Sequence, residues 1–263
     1  MKVFSLVFFI TFLPVGAARA HDGWIEVTPS IVEKGQPVTI ALMHGNHSNE
    51  HRSYRLAGKW DPEFTKVSVV APSGKTTTVE IVDLGEDPEK TGPKGPKGFH
   101  IAQFVADEEG VYTVVARQER DLQRGDGPRF RGVRFARSAF AALALPTVAE
   151  AQKIKVGAPQ ARGGDDLEII PVDNSAGAVR GAPVALQVRY KGKPAEGKVV
   201  SIVPKLAGSG AAQDVTTDAQ GRVSFAPPAA DSYLARVKFD EKSERGDLNS
   251  FEATYVFQVF NRR

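Results

Sequence analysis

Three of the five histidines in this 263-residue chain, His44, His47 and His51, fall within eight positions in the stretch MHGNHSNEH. Imidazole nitrogen is a ligand for Ni, Cu, Zn and Co alike, so a cluster of this density points to a divalent transition metal. His44 closes a Val- and Ile-rich run, and Gly45, Asn46 and Ser48 turn the next residues into a loop. His47 and His51 are four apart, so one helical turn through HSNEH would put both rings on one side. A single loop histidine is usually a solvated polar residue; three together favour ligation. His100, in GFHIAQF, reads as a strand residue.

A fourth ligand depends on processing. MKVFSLVFFITFLPVGAARA has a basic Lys2, an apolar run to Leu13 and a small-x-small ending at Ala18 and Ala20, the pattern of a cleaved secretory signal over residues 1–20. Cleavage after Ala20 makes His21 the new terminus, with an α-amine and an imidazole on one residue. Their ordinary pKa values, about 7.7–8.0 and about 6.5, let a borderline metal displace both protons near neutral pH. The predicted metal ligands are therefore His21, His44, His47 and His51. Asp22, Glu26 and Glu50 are candidates to orient the rings by accepting their other N–H. Trp24 reads as a core or lid residue.

Composition narrows the function classes. There is no cysteine, so neither disulfides nor thiolate ligands are available, and any metal must be held by nitrogen and oxygen. Loss of the leader takes Lys plus Arg from 34 to 32 against 31 acidic residues, so the mature chain is nearly neutral. That balance and export argue against nucleic acid. The Arg-rich QRGDGPRFRGVRFAR, residues 123–137, reads as a solvated strand edge or loop. No Gly-x-Ser-x-Gly, His-Glu-x-x-His or glycine-rich phosphate loop is present, so no catalytic residues are assigned and the chain is read as a non-enzyme.

The positioning elements are strands. QPVTIALM, TKVSVVAP, TTTVEIVDL, FHIAQFVA and GVYTVVARQ are Val/Ile/Thr-rich runs ended by Gly, Pro or Asp. PEKTGPKGPKGF between them reads as a hairpin loop. After a stretch with few signals, residues 120–160, where FARSAFAALAL reads as a strand leading into an irregular link, come DLEIIPV, PVALQVRY, GKVVSIVP, QDVTTD, RVSFAPP, SYLARVKF and FEATYVFQVF. In the last, Phe251, Ala253, Tyr255, Phe257 and Val259 alternate onto one face, as a sandwich core requires. The fold class expected is all-β, with two tandem β-sandwiches at residues 21–160 and 161–263.

HDGWIEV, MHGNHSNEH, GDDLEIIPV, YKGKPAEGKVV, TTDAQGRVSF, SYLARV and FEATYVFQV, in that order, resemble the domain-of-unknown-function 4198 family of exported bacterial proteins associated with nickel or cobalt uptake. The resemblance implies a periplasmic accessory protein that captures nickel or cobalt, with copper or zinc as chemical alternatives, and delivers it to membrane metal-transporter components. It also implies a C-terminal half similar to transthyretin-like or carboxypeptidase-regulatory sandwiches, with immunoglobulin-like character in the whole. Relatives carry further histidines near the final strands, whereas ARVKFDEKSERGD has none, so only the N-terminal histidines are carried over. Contact with the membrane would be peripheral at most, and the oligomeric state is left open. Two alternatives remain: a copper redox protein of the histidine-brace kind built on His21, and a metal-independent structural or adhesive module.

Overall fold

The computed structural model describes residues 21–46, 55–90, 96–123, 129–154, 167–206, 209–242 and 248–262. The chain is all-β. A five-stranded antiparallel sheet is built, in spatial order, from β1 (Asp22–Thr28), β3 (Pro37–Asn46), β8 (Phe99–Val105) and β7 (Val82–Asp83), with β4 (Arg55–Leu56) also on β3. A nine-stranded sheet runs in spatial order through β15 (Gln213–Thr216), β14 (Val199–Pro204), β17 (Ser232–Lys242), β18 (Leu248–Gln258), β10 (Arg129–Leu143), β9 (Gly110–Gln123), β5 (Thr65–Val70) and β6 (Thr76–Thr78), with β2 (Ile31–Glu33) added to β10. A four-stranded sheet holds β11 (Glu168–Pro171), β12 (Val184–Tyr190), β13 (Lys193–Pro194) and β16 (Arg222–Phe225).

The two largest cores among the described residues lie between these sheets. In the first, Ile25, Val38, Ile40 and Leu42 of the five-stranded sheet meet Val67, Tyr112, Val114 and Phe140 of the large one. In the second, Ile169, Leu186 and Val188 of the four-stranded sheet meet Val200, Tyr233, Val237 and the alternating Phe251, Ala253, Tyr255 and Phe257. Burial of each large apolar side chain contributes about 1.5–3 kcal/mol. The hairpin from β12 to β13 turns through Lys191 and Gly192, both at positive φ, so the Tyr-Lys-Gly-Lys-Pro stretch is a tight connection as its composition requires.

Strand β10 joins the two cores. It pairs antiparallel with β9 and parallel with β18, bringing Arg134 opposite Gln118 on one side and Glu252 on the other. Its odd residues Val133 and Phe135 enter the second core while its even residues Ala136, Phe140 and Ala142 enter the first. A strand apolar on both faces belongs inside a sheet. The reading of residues 123–137 as a solvated edge or loop is thereby corrected for residues 129–137, which form a central strand, residues 124–128 lying outside the described ones: Arg134 lies 3.4 Å from Glu252, and Arg137, 1% exposed, pairs with Glu168 of β11 at 3.0 Å. Partners on both sides make the basic residues compatible with a central strand.

Two further readings change. TTTVEIVDL is two short strands in different sheets, β6 pairing β5 and β7 pairing β8. Residues 120–160, poor in signals, contain the 15-residue β10 and a short helix α1 (Val148–Lys153) whose amide at Glu150 is capped by Thr147. Among the described residues no helix is long and apolar enough to cross a membrane. The leader expected at 1–20, the centre of PEKTGPKGPKGF and the link expected near residue 160 lie outside the described residues.

Candidate metal centre

The beginning of β1 is fastened by side chains from the other end of the chain. On β18 the odd residues point into the second core, so Glu252 and Thr254 face the opposite way; on β17 the same alternation turns out Arg236 and Lys238. Those four side chains hold residues 21–23. Lys238 Nζ donates to the His21 carbonyl oxygen at 2.9 Å. Asp22, fully buried, is paired with Lys238 Nζ at 2.6 Å and Arg236 Nη1 at 3.1 Å. The Gly23 amide donates to Glu252 Oε1 at 2.6 Å, and its carbonyl accepts from Thr254 Oγ1 at 2.8 Å.

This clamp sets His21 beside His44. The two rings stand edge to face with centroids 5.8 Å apart, His21 exposed and His44 half-buried. In register, His44 of β3 lies opposite Gly23 of β1. Two imidazoles on one ion, with metal–nitrogen bonds of about 2.0–2.1 Å, have ring centres no more than roughly 6.5 Å apart. The observed separation is inside that limit. With the α-amine of a chain starting at residue 21, three nitrogens would be available.

Arg134 and Trp60 close the inner side. Arg134 Nη2 is 3.2 Å from His44 Nε2, and its guanidinium lies over the Trp60 ring at 5.3 Å. A guanidinium only donates, so Nε2 accepts and a neutral ring carries its proton on Nδ1. Nδ1 is buried with no hydrogen-bond partner among the described residues. It points at Gly58, where a Cβ would come within 2.6 Å of it. A Cβ at Gly23 would come within 2.2 Å of Arg134 Cδ, so β1 approaches this closely only with glycine there.

Burial, then the Arg134 charge, pushes the His44 ring down to about 3, against the opposing pull of Glu252. At neutral pH the ring is uncharged, so a metal meets no imidazolium proton to displace. Burial alone would raise Glu252, but Arg134, Lys238 and the Gly23 amide outweigh it and hold the carboxyl at about 2. Asp22 moves the other way: its burial, reinforced by Glu252, outweighs Lys238 and Arg236. The unfolded chain binds a proton at His44 near the usual 6.5 and the folded chain does not, so stability falls as pH drops through the interval from about 6.5 to 3. Going from pH 7 to pH 5 is expected to cost up to about 2 kcal/mol, read as a lower urea midpoint. His44→Gln should lose distinctly less over the same interval; an equal loss assigns the effect to other groups.

Of the four predicted ligands, His21 and His44 are brought together, while His47 and His51 lie outside the described residues. The paired residues Asn46 and Arg55, flanking that segment, adjoin His44. His100 is a buried strand residue of β8, as its sequence context suggests. The orienting roles expected of two carboxylates are corrected. Asp22 is engaged by Arg236 and Lys238, and Glu26 accepts from Trp24 Nε1 at 3.1 Å and Lys205 Nζ at 2.8 Å. Glu50 is outside the described residues. Trp24 is fully buried against Leu234 and Val256. Among the described residues no group of three or more His, Asp or Glu side chains is arranged to hold a metal, so His21 and His44 need the amine or further ligands to complete a site. Arg134, Lys238, Arg236 and Glu252 were missed. For Arg236, Lys238 and Glu252 the signal was present in the polar alternate positions of SYLARVKF and FEATYVFQVF; Arg134 lies in the Arg-rich run read as solvated.

A family model described as Domain of unknown function (DUF4198) matches residues 18–241. No curated protein matches the sequence. Solved structures similar to the chain include a bacterial ice-binding adhesin, 14% identical over 92% of this chain and 65% of that one at a TM-score of 0.26. Another is a two-domain fibronectin type-III segment of chicken tenascin, 14% identical over 90% of this chain and 99% of that one at 0.24. A third is Salmonella alpha-2-macroglobulin reacted with methylamine, 13% identical over 90% and 15% at 0.27. The chain spans less than two thirds of the length of the first solved chains it matches. Likeness at these scores adds nothing to the fold, which the strand pairing itself establishes.

Proposed function

Starting from a chain that belongs to the DUF4198 family, we propose that its exported form is a periplasmic protein that captures a divalent transition metal on the His21 amine and imidazole together with His44, and passes it to a membrane transporter. The supporting observation is the clamp. Four side chains from β17 and β18 fix the backbone of residues 21–23, and His21 stands 5.8 Å from a histidine held neutral. A terminus kept only to begin a strand has no need of two cations, a carboxylate and a hydroxyl gathered on it. Nickel or cobalt is the cargo that the family resemblance implies; His47 and His51 would complete the donor set from the adjoining segment.

Copper is favoured by a separate consideration. An amine and two imidazoles are the donors of a histidine brace, and copper(II) binds such a set more tightly than nickel, cobalt or zinc. Protein starting at His21 should therefore be titrated calorimetrically with all four ions. At least one is expected to bind with Kd of about 10 μM or tighter. Binding no tighter than about millimolar for every ion rejects the metal reading and leaves a structural module. Consumption of a reductant by the copper form would turn capture into redox chemistry.

A further inference from the structure

Arg134 occupies the position that a cation at His44 would need. Its Nη2 takes the lone pair of Nε2 at 3.2 Å. Coordination through Nε2 requires that lone pair, and coordination through Nδ1 requires the ring proton to move to Nε2, where it would face a group that can only donate. Either way the guanidinium must leave. It has somewhere to go without leaving the protein. Arg134 Nε lies 3.4 Å from Glu252 Oε1, Nη2 lies 3.5 Å from Glu252 Oε2, and Nη1 lies 3.5 Å from Gln118 Oε1. All three contacts are long for charge-assisted hydrogen bonds, which run about 2.7–2.9 Å, so they can shorten as the one to His44 breaks. Gly23 leaves the aliphatic part of the side chain free of any Cβ.

We propose that Arg134 is a gate on this site: its guanidinium caps His44 in the metal-free protein and withdraws onto Glu252 and Gln118 when a divalent cation is seated. The inference rests on the metal reading above and adds its regulation. The gate weakens binding, because each capture event breaks an existing hydrogen bond, and it speeds release, because Arg134 competes for the nitrogen while the metal bond is breaking. Both suit a carrier that must surrender its ion.

The test compares wild type with Arg134→Lys and Arg134→Met, each beginning at His21, by calorimetric titration and stopped-flow mixing with Ni(II) and Cu(II). Lysine preserves the charge, but its ammonium stops about one C–N bond short of the position of Nη2, some 1.3 Å. Both variants are expected to bind at least about tenfold more tightly than wild type and to release the ion more slowly. If lysine matches wild type and only methionine binds more tightly, charge repulsion suffices and the gate is overturned. Equal or weaker binding by both variants also overturns it. If neither wild type nor variants bind any ion, the metal reading has failed and takes the gate with it. Arg134→Met paired with Glu252→Gln keeps an acceptor for the Gly23 amide and removes the stranded carboxylate, so a folding defect in the single variant leaves a readable comparison.

Discussion

Protein that retains one residue ahead of His21 is expected to bind nickel or copper on the order of 100-fold more weakly than protein that begins there, a difference of about 2.7 kcal/mol. The added residue converts the α-amine into an amide, whose nitrogen has no basic lone pair near neutral pH. The bidentate grip of residue 21 becomes a single imidazole. The clamp should survive, because it acts on the His21 carbonyl, the Asp22 carboxylate and the Gly23 peptide group, all of them downstream of the addition. Equal thermal unfolding temperatures with and without the extra residue would show that the change is confined to ligation. Paired titrations giving the same affinity would remove the amine from the site and leave the side chains of the histidines alone to hold the ion.

Glu252→Leu should be the most damaging single change in the clamp, costing about 3–5 kcal/mol. Removing one partner of a buried ionic cluster strands the others: Arg134 and Lys238 lose a carboxylate at 3.4 and 3.6 Å, and the Gly23 amide loses its acceptor. Glu252→Gln retains that acceptor and should cost clearly less. The pH dependence has a definite sign. A carboxyl held at about 2 contributes stability that is complete above the ordinary carboxylate range and is lost as pH falls through about 2. Urea unfolding at pH 7 and pH 3 should therefore show a smaller acid loss in Glu252→Leu than in wild type. A leucine variant as stable as the parent at pH 7 would mean that the cluster only breaks even against its desolvation.

The strands were legible because their side chains alternate, and Phe251, Ala253, Tyr255 and Phe257 enter one core as their spacing predicts. Arg134 and Arg137 were misread for a related reason: arginine signals solvent, and nothing local reveals that Glu168 waits for Arg137 or Glu252 for Arg134. TTTVEIVDL reads as one strand because Val and Thr favour extended backbone, while its division between two sheets is decided by partners elsewhere in the chain. The site was half legible. His21 and His44 stand out by type, but the side chains that place them are ordinary Lys, Arg, Glu and Thr, more than 200 residues away in sequence from Asp22 and Gly23.

That long separation orders events during biosynthesis. Residues 21–23 are fastened by Arg236, Lys238, Glu252 and Thr254, the last two on β18, so a polypeptide halted before that strand lacks the acceptor for the Gly23 amide and the donor to its carbonyl. In the proposed reading, the full hold on the terminal residue, and with it the strongest grip on an ion, comes only once that strand is in place.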